Sequence, residues 1–188
     1  PLGVRDTLAF DNEAQYLVSR GYAVLKVNYR GSEGFGRDFF EAGYRARGKQ
    51  IEDDIELALD HALAKYPLDP QRVGLVGASY GGYSALMGLV RSQRYRCAVA
   101  IAAPTDVALS FTAADWANSP ETRALMTRLV GDPNKSLEDL VAISPLYQYE
   151  KLDRPLLLIH GLRDERVPIE HAERLRRVMA LAGREPPV

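Results

Sequence analysis

Ser79 stands at the centre of VGASYGGYSA (76–85), inside a G-x-S-x-G pattern. A serine hydroxyl attacks a carbonyl only when a base takes its proton and fixed donors receive the developing negative charge. The pattern does this where a strand runs into a helix through a sharp turn that lifts the serine above a sheet. RVGLVGA (72–78) is an apolar strand, and 80–92 is a helical stretch rich in small residues. Gly77 and Gly81 keep side chains out of the turn, and Gly82 eases the packing of helix on strand. The helix start sets backbone N–H groups beside Ser79, and the amide of Tyr80 is the natural oxyanion donor. The competing reading is a glycine-rich turn with a passive serine. It lacks the lysine of a phosphate loop and the G-x-G-x-x-G of a dinucleotide site.

Asp164 lies in HGLRDERVP (160–168), just after the apolar run PLLLIH. In an open parallel sheet functional groups collect beyond the carboxyl ends of strands. Asp164 also follows Ser79 in the chain, the order of nucleophile then acid. An acid placed there orients a histidine and stabilises its imidazolium. The alternative is a loop aspartate that caps the next helix. The chain has three histidines. His61 is mid-helix beside Asp60 and reads as a surface residue. His160 precedes the acid and suits a local structural contact. His171 alone follows the acid, but it sits one turn into a helix, where reaching back over Ser79 is not expected. The residues alone leave the base open, with His171 the one candidate that follows the acid.

The elements that must position these groups alternate along the chain. Residues 11–20 suit a short helix capped by Asp11 or Asn12, with Gly21 past its end. Residues 22–29 (YAVLKVNY) read as a strand. A glycine-rich loop, 31–36, follows. Residues 49–66 are the clearest helix, with Ile51, Ile55, Leu59 and Ala62 on one stripe and Glu52, Asp53 and Asp54 in a first turn where the dipole favours them. Residues 96–103 and 155–160 are further strands, and 168–182 is the last helix, entered through Pro168. Between them, 104–153 is an excursion with helical patterns at 120–130 and 136–142. Nearly continuous apolar strands require helices on both faces of a mostly parallel sheet, so the fold class is α/β.

Composition narrows the chemistry. The net charge of −1 over 188 residues gives no electrostatic reason to expect nucleic acid or an anionic membrane. The lone Cys97 excludes an internal disulfide, and its apolar setting suggests a buried structural thiol. His160, Asp164 and His171 lack a further ligand motif for a metal site. No cofactor is expected. The sequence shows no basic stretch followed by an apolar run and no span long enough for a membrane. Compartment stays open, with the cytoplasm favoured.

YRGSEGFG (29–36), IEDDI (51–55), GASYGGYSAL (77–86), AAPTD (102–106) and HGLRDERVP (160–168) occur in the order seen in the prolyl oligopeptidase family. The chain resembles the catalytic domain of that family, especially its acylaminoacyl-peptidase and dipeptidyl-peptidase-like branches, over nearly all its length. The resemblance implies an α/β-hydrolase fold and a serine peptidase acting on short peptides. It implies Ser79 as nucleophile, Asp164 as triad acid and the Tyr80 amide as oxyanion donor. It also implies Arg166 as a ligand for a substrate carbonyl and Val167 as a wall of the adjoining pocket. Trp116 suits either the pocket or the core, and Tyr83 suits packing. Arg30 is expected to pair with Asp53 or Asp54. The family's second oxyanion donor comes from an HGGP-like loop, of which Pro1 matches the last residue. Its histidine follows a strand that the terminal PPV would begin. The resemblance thus implies a partial catalytic domain, without an N-terminal propeller, early strands or the histidine segment. It implies a gap in the sheet next to 22–29, poor stability of the isolated chain, and a homo-oligomer as one possible assembly of a longer protein. An esterase of the same fold and a non-catalytic binding module are the alternatives.

Overall fold

Apolar alternation and helix punctuation build the structure, a computed structural model that describes residues 3–187. Helix α1 spans Asn12–Ser19, with Asp11 accepting from the Ala14 N–H at 2.9 Å as its N-cap. A five-residue helix, α2 (Arg37–Glu41), follows the glycine-rich loop; it is too short to show periodicity in the sequence. Helix α3 spans Gln50–Lys65. Strand β1 (Val73–Ala78) turns directly into α4 (Tyr80–Arg91), and β2 (Tyr95–Ile101) follows. The excursion then holds α5 (Ser110–Ala113), a 3-10 turn (Asp115–Asn118), α6 (Pro120–Val130), α7 (Leu137–Ala142) and a second 3-10 segment (Pro145–Lys151). Strand β3 (Leu156–Ile159) and α8 (Glu170–Leu181) complete the order.

The three strands form one parallel sheet in the order β1-β2-β3. Leu75 pairs with Ala98, and Ala98 with Leu156; Ala100 pairs with Leu158. On this face Ala98, Ala100, Leu156 and Leu158 are buried, in one cluster with Leu86, Leu89 and Tyr83 of α4. The alternate positions Val76, Leu157 and Ile159 remain 44%, 37% and 45% exposed, an apolar second face where the strand pattern calls for a further layer. Cys97 sits on that face and is exposed, which corrects the expectation of a buried thiol. Burial along β2 depends on which face is covered, and the apolar setting did not reveal that.

Residues 22–29 are the other correction. They join no ladder among the described residues, and Tyr22, Val24 and Leu25 are exposed. A strand exists by virtue of its partner, and β1 does not pair with this segment. Its anchors are side chains instead. Asn28 exchanges two hydrogen bonds with the Asp6 backbone (2.8 and 3.1 Å), and Lys26 bridges Asp6 and Asp11. At the other end, the Leu158 N–H donates to Pro187 O at 3.1 Å, so the chain end lies against the free edge of β3. Pro1 and Val188 lie outside the described residues.

Arg30 meets Asp54 in a two-pronged pair at 2.7 and 2.8 Å, and its backbone N–H adds a third bond. Asp53 goes instead to Arg91. The first turn of α3 therefore uses its acids for tertiary contacts as well as for the dipole.

Candidate active site

The turn between β1 and α4 forces Ser79 to φ 53°, ψ −117°. Such backbone costs a non-glycine residue about 1–3 kcal/mol and persists only where its surroundings impose it. Here the Ser79 N–H donates to Ile101 O at 2.8 Å and its carbonyl accepts from the Tyr83 N–H at 3.0 Å. A Cβ on Gly77 would collide with the Gly81 backbone, and one on Gly82 would lie 2.9 Å from Ile101 O and from the Ala103 side chain. Gly77 and Gly82 are thus needed for close approach. Gly81 is different: a Cβ there would meet nothing within 4 Å, so its backbone, not its missing side chain, shapes the turn.

This conformation changes what the hydroxyl does. A serine at a helix N-cap ordinarily accepts from an N–H of the first turn. Ser79 makes no side-chain capping bond and is exposed. The first N–H groups of α4 therefore keep their donors, beside a free hydroxyl. Tyr80 buries its side chain and leaves its backbone amide at the turn.

Asp164 lies five residues beyond the end of β3, on the same carboxyl edge of the sheet. The edge is continuous: after the Ser79–Ile101 bond, the Ala102 N–H donates to Ile159 O at 2.8 Å. Asp164 Oδ1 accepts from the N–H groups of Arg166 (3.0 Å) and Val167 (2.9 Å). The loop-cap reading is therefore true of one oxygen. Oδ2 carries no hydrogen bond among the described residues and lies 3.8 Å from His160 Nε2. That nitrogen is in turn 2.6 Å from Val167 O. The carboxylate is held rigid by one oxygen and presents the other.

His160 and His171 are both held by fixed partners. His160 is bound within its own turn. His171 is fully buried, with Nδ1 accepting from the Thr105 and Asp106 N–H groups at 3.2 and 3.3 Å. Its proton therefore sits on Nε2, 3.5 Å from Ser110 Oγ. Burial pulls its pKa down to about 4. His61 is exposed on α3. Of the other candidates, Arg166 is 66% exposed and pairs with Asp115 at 3.2 Å. Val167 is buried in the turn that Asp164 caps. Trp116 is half-buried, edge-on to Phe111 at 5.6 Å. Tyr83 is fully buried and donates to Ile143 O at 2.8 Å, the packing role expected of it.

Two groups escaped the sequence. Glu52, in the first turn of α3, is 4% exposed. It resembled a dipole-complementing acid, although its spacing from Ile55 and Leu59 puts it on the apolar stripe. Asp106, in AAPTD, is buried and accepts from Tyr147 and Arg174.

A model of the prolyl oligopeptidase family matches residues 8–187. The chain is 35% identical over 189 residues to dipeptidyl aminopeptidase BIII of Pseudoxanthomonas mexicana, covering 98% of this chain and 27% of that protein. Among solved structures it is similar to Pyrococcus horikoshii acylaminoacyl peptidase, with TM-score 0.87 and 28% identity over 95% of this chain and 29% of that one. It is equally similar, at TM-score 0.87 and 28% identity, to an acylaminoacyl peptidase in complex with Z-Gly-Gly-Phe-chloromethyl ketone, covering 95% of this chain and 28% of that one. The chain spans about a quarter of the length of the curated relatives it matches. With the turn at Ser79 and the parallel sheet beneath it, these matches place the chain, an α/β-hydrolase, in the prolyl oligopeptidase family of serine peptidases.

Proposed function

We propose that the protein carrying this chain hydrolyses short peptides by acyl transfer through Ser79. The strained backbone of Ser79 carries the reading: it frees the hydroxyl from helix capping and sets it beside unpaired N–H donors. Ser79 Oγ attacks the scissile carbonyl, and the Tyr80 amide takes up the oxyanion. The amine leaves with a proton, and water releases the acyl group from Ser79. Asp164, held by the Arg166 and Val167 amides, orients the imidazole with its free Oδ2. That imidazole comes from a segment outside these residues, because His61, His160 and His171 are each placed elsewhere. Arg166, with guanidinium donors free beyond its Asp115 contact, holds a substrate carbonyl. Val167 and Trp116 back the pocket.

The same reading makes residues 1–188 part of a longer catalytic domain. The unpaired 22–29 segment and the apolar second face of the sheet support it. Residues 1–188 expressed alone should lack a cooperative thermal transition; a cooperative transition from a soluble monomer contradicts this. For the chemistry, short peptide p-nitroanilides test the protein that carries the chain. Asp164→Asn should lower kcat by about 10⁴, the scale of losing a triad carboxylate. A loss below tenfold removes Asp164 from the mechanism. Turnover of esters without any peptide would instead favour the esterase.

A further inference from the structure

Among the described residues, Glu52 Oε2 is the one buried side-chain oxygen or nitrogen without a hydrogen-bond partner. The other oxygen, Oε1, accepts from Ser84 Oγ at 2.9 Å and from Tyr80 OH at 3.4 Å. Both donors belong to the start of α4: Tyr80 follows Ser79 directly, and Ser84 lies one turn on. The Tyr80 ring is enclosed as well. The Arg47 guanidinium covers it at 4.7 Å and the Tyr29 ring lies 5.7 Å away. Arg47 forms no ion pair with Glu52 among the described residues.

A buried carboxyl with one oxygen left unbonded carries a desolvation cost that a fully bonded group avoids. Departures of this kind from ordinary packing concentrate where geometry serves function. The local geometry supplies the reason. On the sheet side, Gly82 packs tightly on Ile101 and Ala103. On the α3 side, Glu52 ties down the Tyr80 and Ser84 side chains. The strained turn is held between the two.

We propose that Glu52 is a positioning residue for acyl transfer: its buried carboxyl clamps the first turn of α4, so that the Ser79 hydroxyl and the Tyr80 amide keep the spacing an attacked carbonyl needs. This rests on the acyl-transfer reading of Ser79. Burial also pushes the Glu52 carboxyl above the ordinary carboxylate range, against the pull of the Ser84 hydroxyl. Protonated or ionised, the carboxyl keeps the acceptor that both hydroxyls use, so glutamine can replace it.

The test is the bimolecular rate at which a fluorophosphonate reacts with Ser79 in the protein that carries this chain, counted per site finally labelled. Glu52→Leu should slow it by about 10- to 100-fold, the scale of a misplaced reacting group. Glu52→Gln should restore it to within about threefold of wild type, since Oε1 remains an acceptor. A merely structural Glu52 would lower Tm in Glu52→Leu and leave the rate per labelled site unchanged, and that result overturns the proposal. Should Glu52→Leu not fold, Tyr80→Phe carries the test: slowing by about threefold or more supports the clamp, and a wild-type rate overturns it. If the wild type itself is not labelled at Ser79, the acyl-transfer reading falls and this proposal with it. If the wild type reacts and Glu52→Leu reacts equally fast, this proposal alone falls.

Discussion

Two buried polar clusters brace this chain, and they differ in how completely they are bonded. At His171, the imidazole receives the Thr105 and Asp106 amides, and Thr105 Oγ1 donates back to His171 O at 2.7 Å. Asp106 accepts on both oxygens, from the Ala108 and Leu109 amides, Tyr147 and Arg174. This cluster fastens the excursion to α8 and leaves nothing over. At Glu52, one oxygen serves two hydroxyls of α4 and the other serves none. A closed network buys rigidity, whereas an open one beside a strained turn signals a geometry kept for another reason. The difference predicts that damage to the first cluster appears as lost stability and damage to the second as lost rate.

The largest expected stability loss follows His171→Leu, which strands two buried amides. In the protein that carries this chain it should destabilise by roughly 3 kcal/mol or more, read by denaturant unfolding, with the Ser79 labelling rate per site unchanged. A slowed rate at intact Tm would erase the contrast. Acid should act on the same cluster. The folded His171 pKa of about 4 lies below its unfolded value of 6.5, so its contribution is complete above pH 6.5 and is lost as pH falls toward 4. The loss is on the order of 3 kcal/mol by linkage. A pH profile of Tm equally steep in wild type and His171→Leu over that window would contradict it.

Smaller effects sharpen the Glu52 side. Arg30→Met should cost about 1 kcal/mol, because the Arg30–Asp54 pair is two-pronged but only partly buried; an unchanged Tm would show that the pair contributes nothing. Glu52→Gln should raise Tm slightly at neutral pH. The raised folded pKa of Glu52, with Arg47, Arg91, Tyr29, Tyr80 and Tyr83 around it, means that ionisation weakens the fold as pH rises above the unfolded carboxylate value. The gain should vanish at acid pH, and a gain that persists there would point to packing instead.

The turn at Ser79 was legible because it is local. Strand 72–78 and helix 80–92 were expected, and Val73–Ala78 and Tyr80–Arg91 are found, since apolar runs and small residues around one serine carry that signal alone. The position of Asp164 on the carboxyl edge of the sheet was legible from its place after a strand. What escaped depends on contacts distant in sequence. Residues 22–29 have strand composition but no partner to make them one. Cys97 looked buried because its neighbours are apolar, yet it points to the uncovered face. Glu52 and Asp106 read as ordinary acids, because only the tertiary fold shows that both are buried. The placement of His171 was partly legible: its helix argued against a base, but the two amides that occupy its ring nitrogen could not be read from spacing.

Acyl transfer in this protein stands or falls with Ser79 as the nucleophile. Fluorophosphonate labelling of the protein that carries this chain, with the adduct located by peptide mapping, decides that assignment. One adduct is expected, on Ser79, lost in Ser79→Ala and retained in Ser92→Ala, at the C-cap of α4. Labelling of Ser79→Ala equal to the wild type would contradict it.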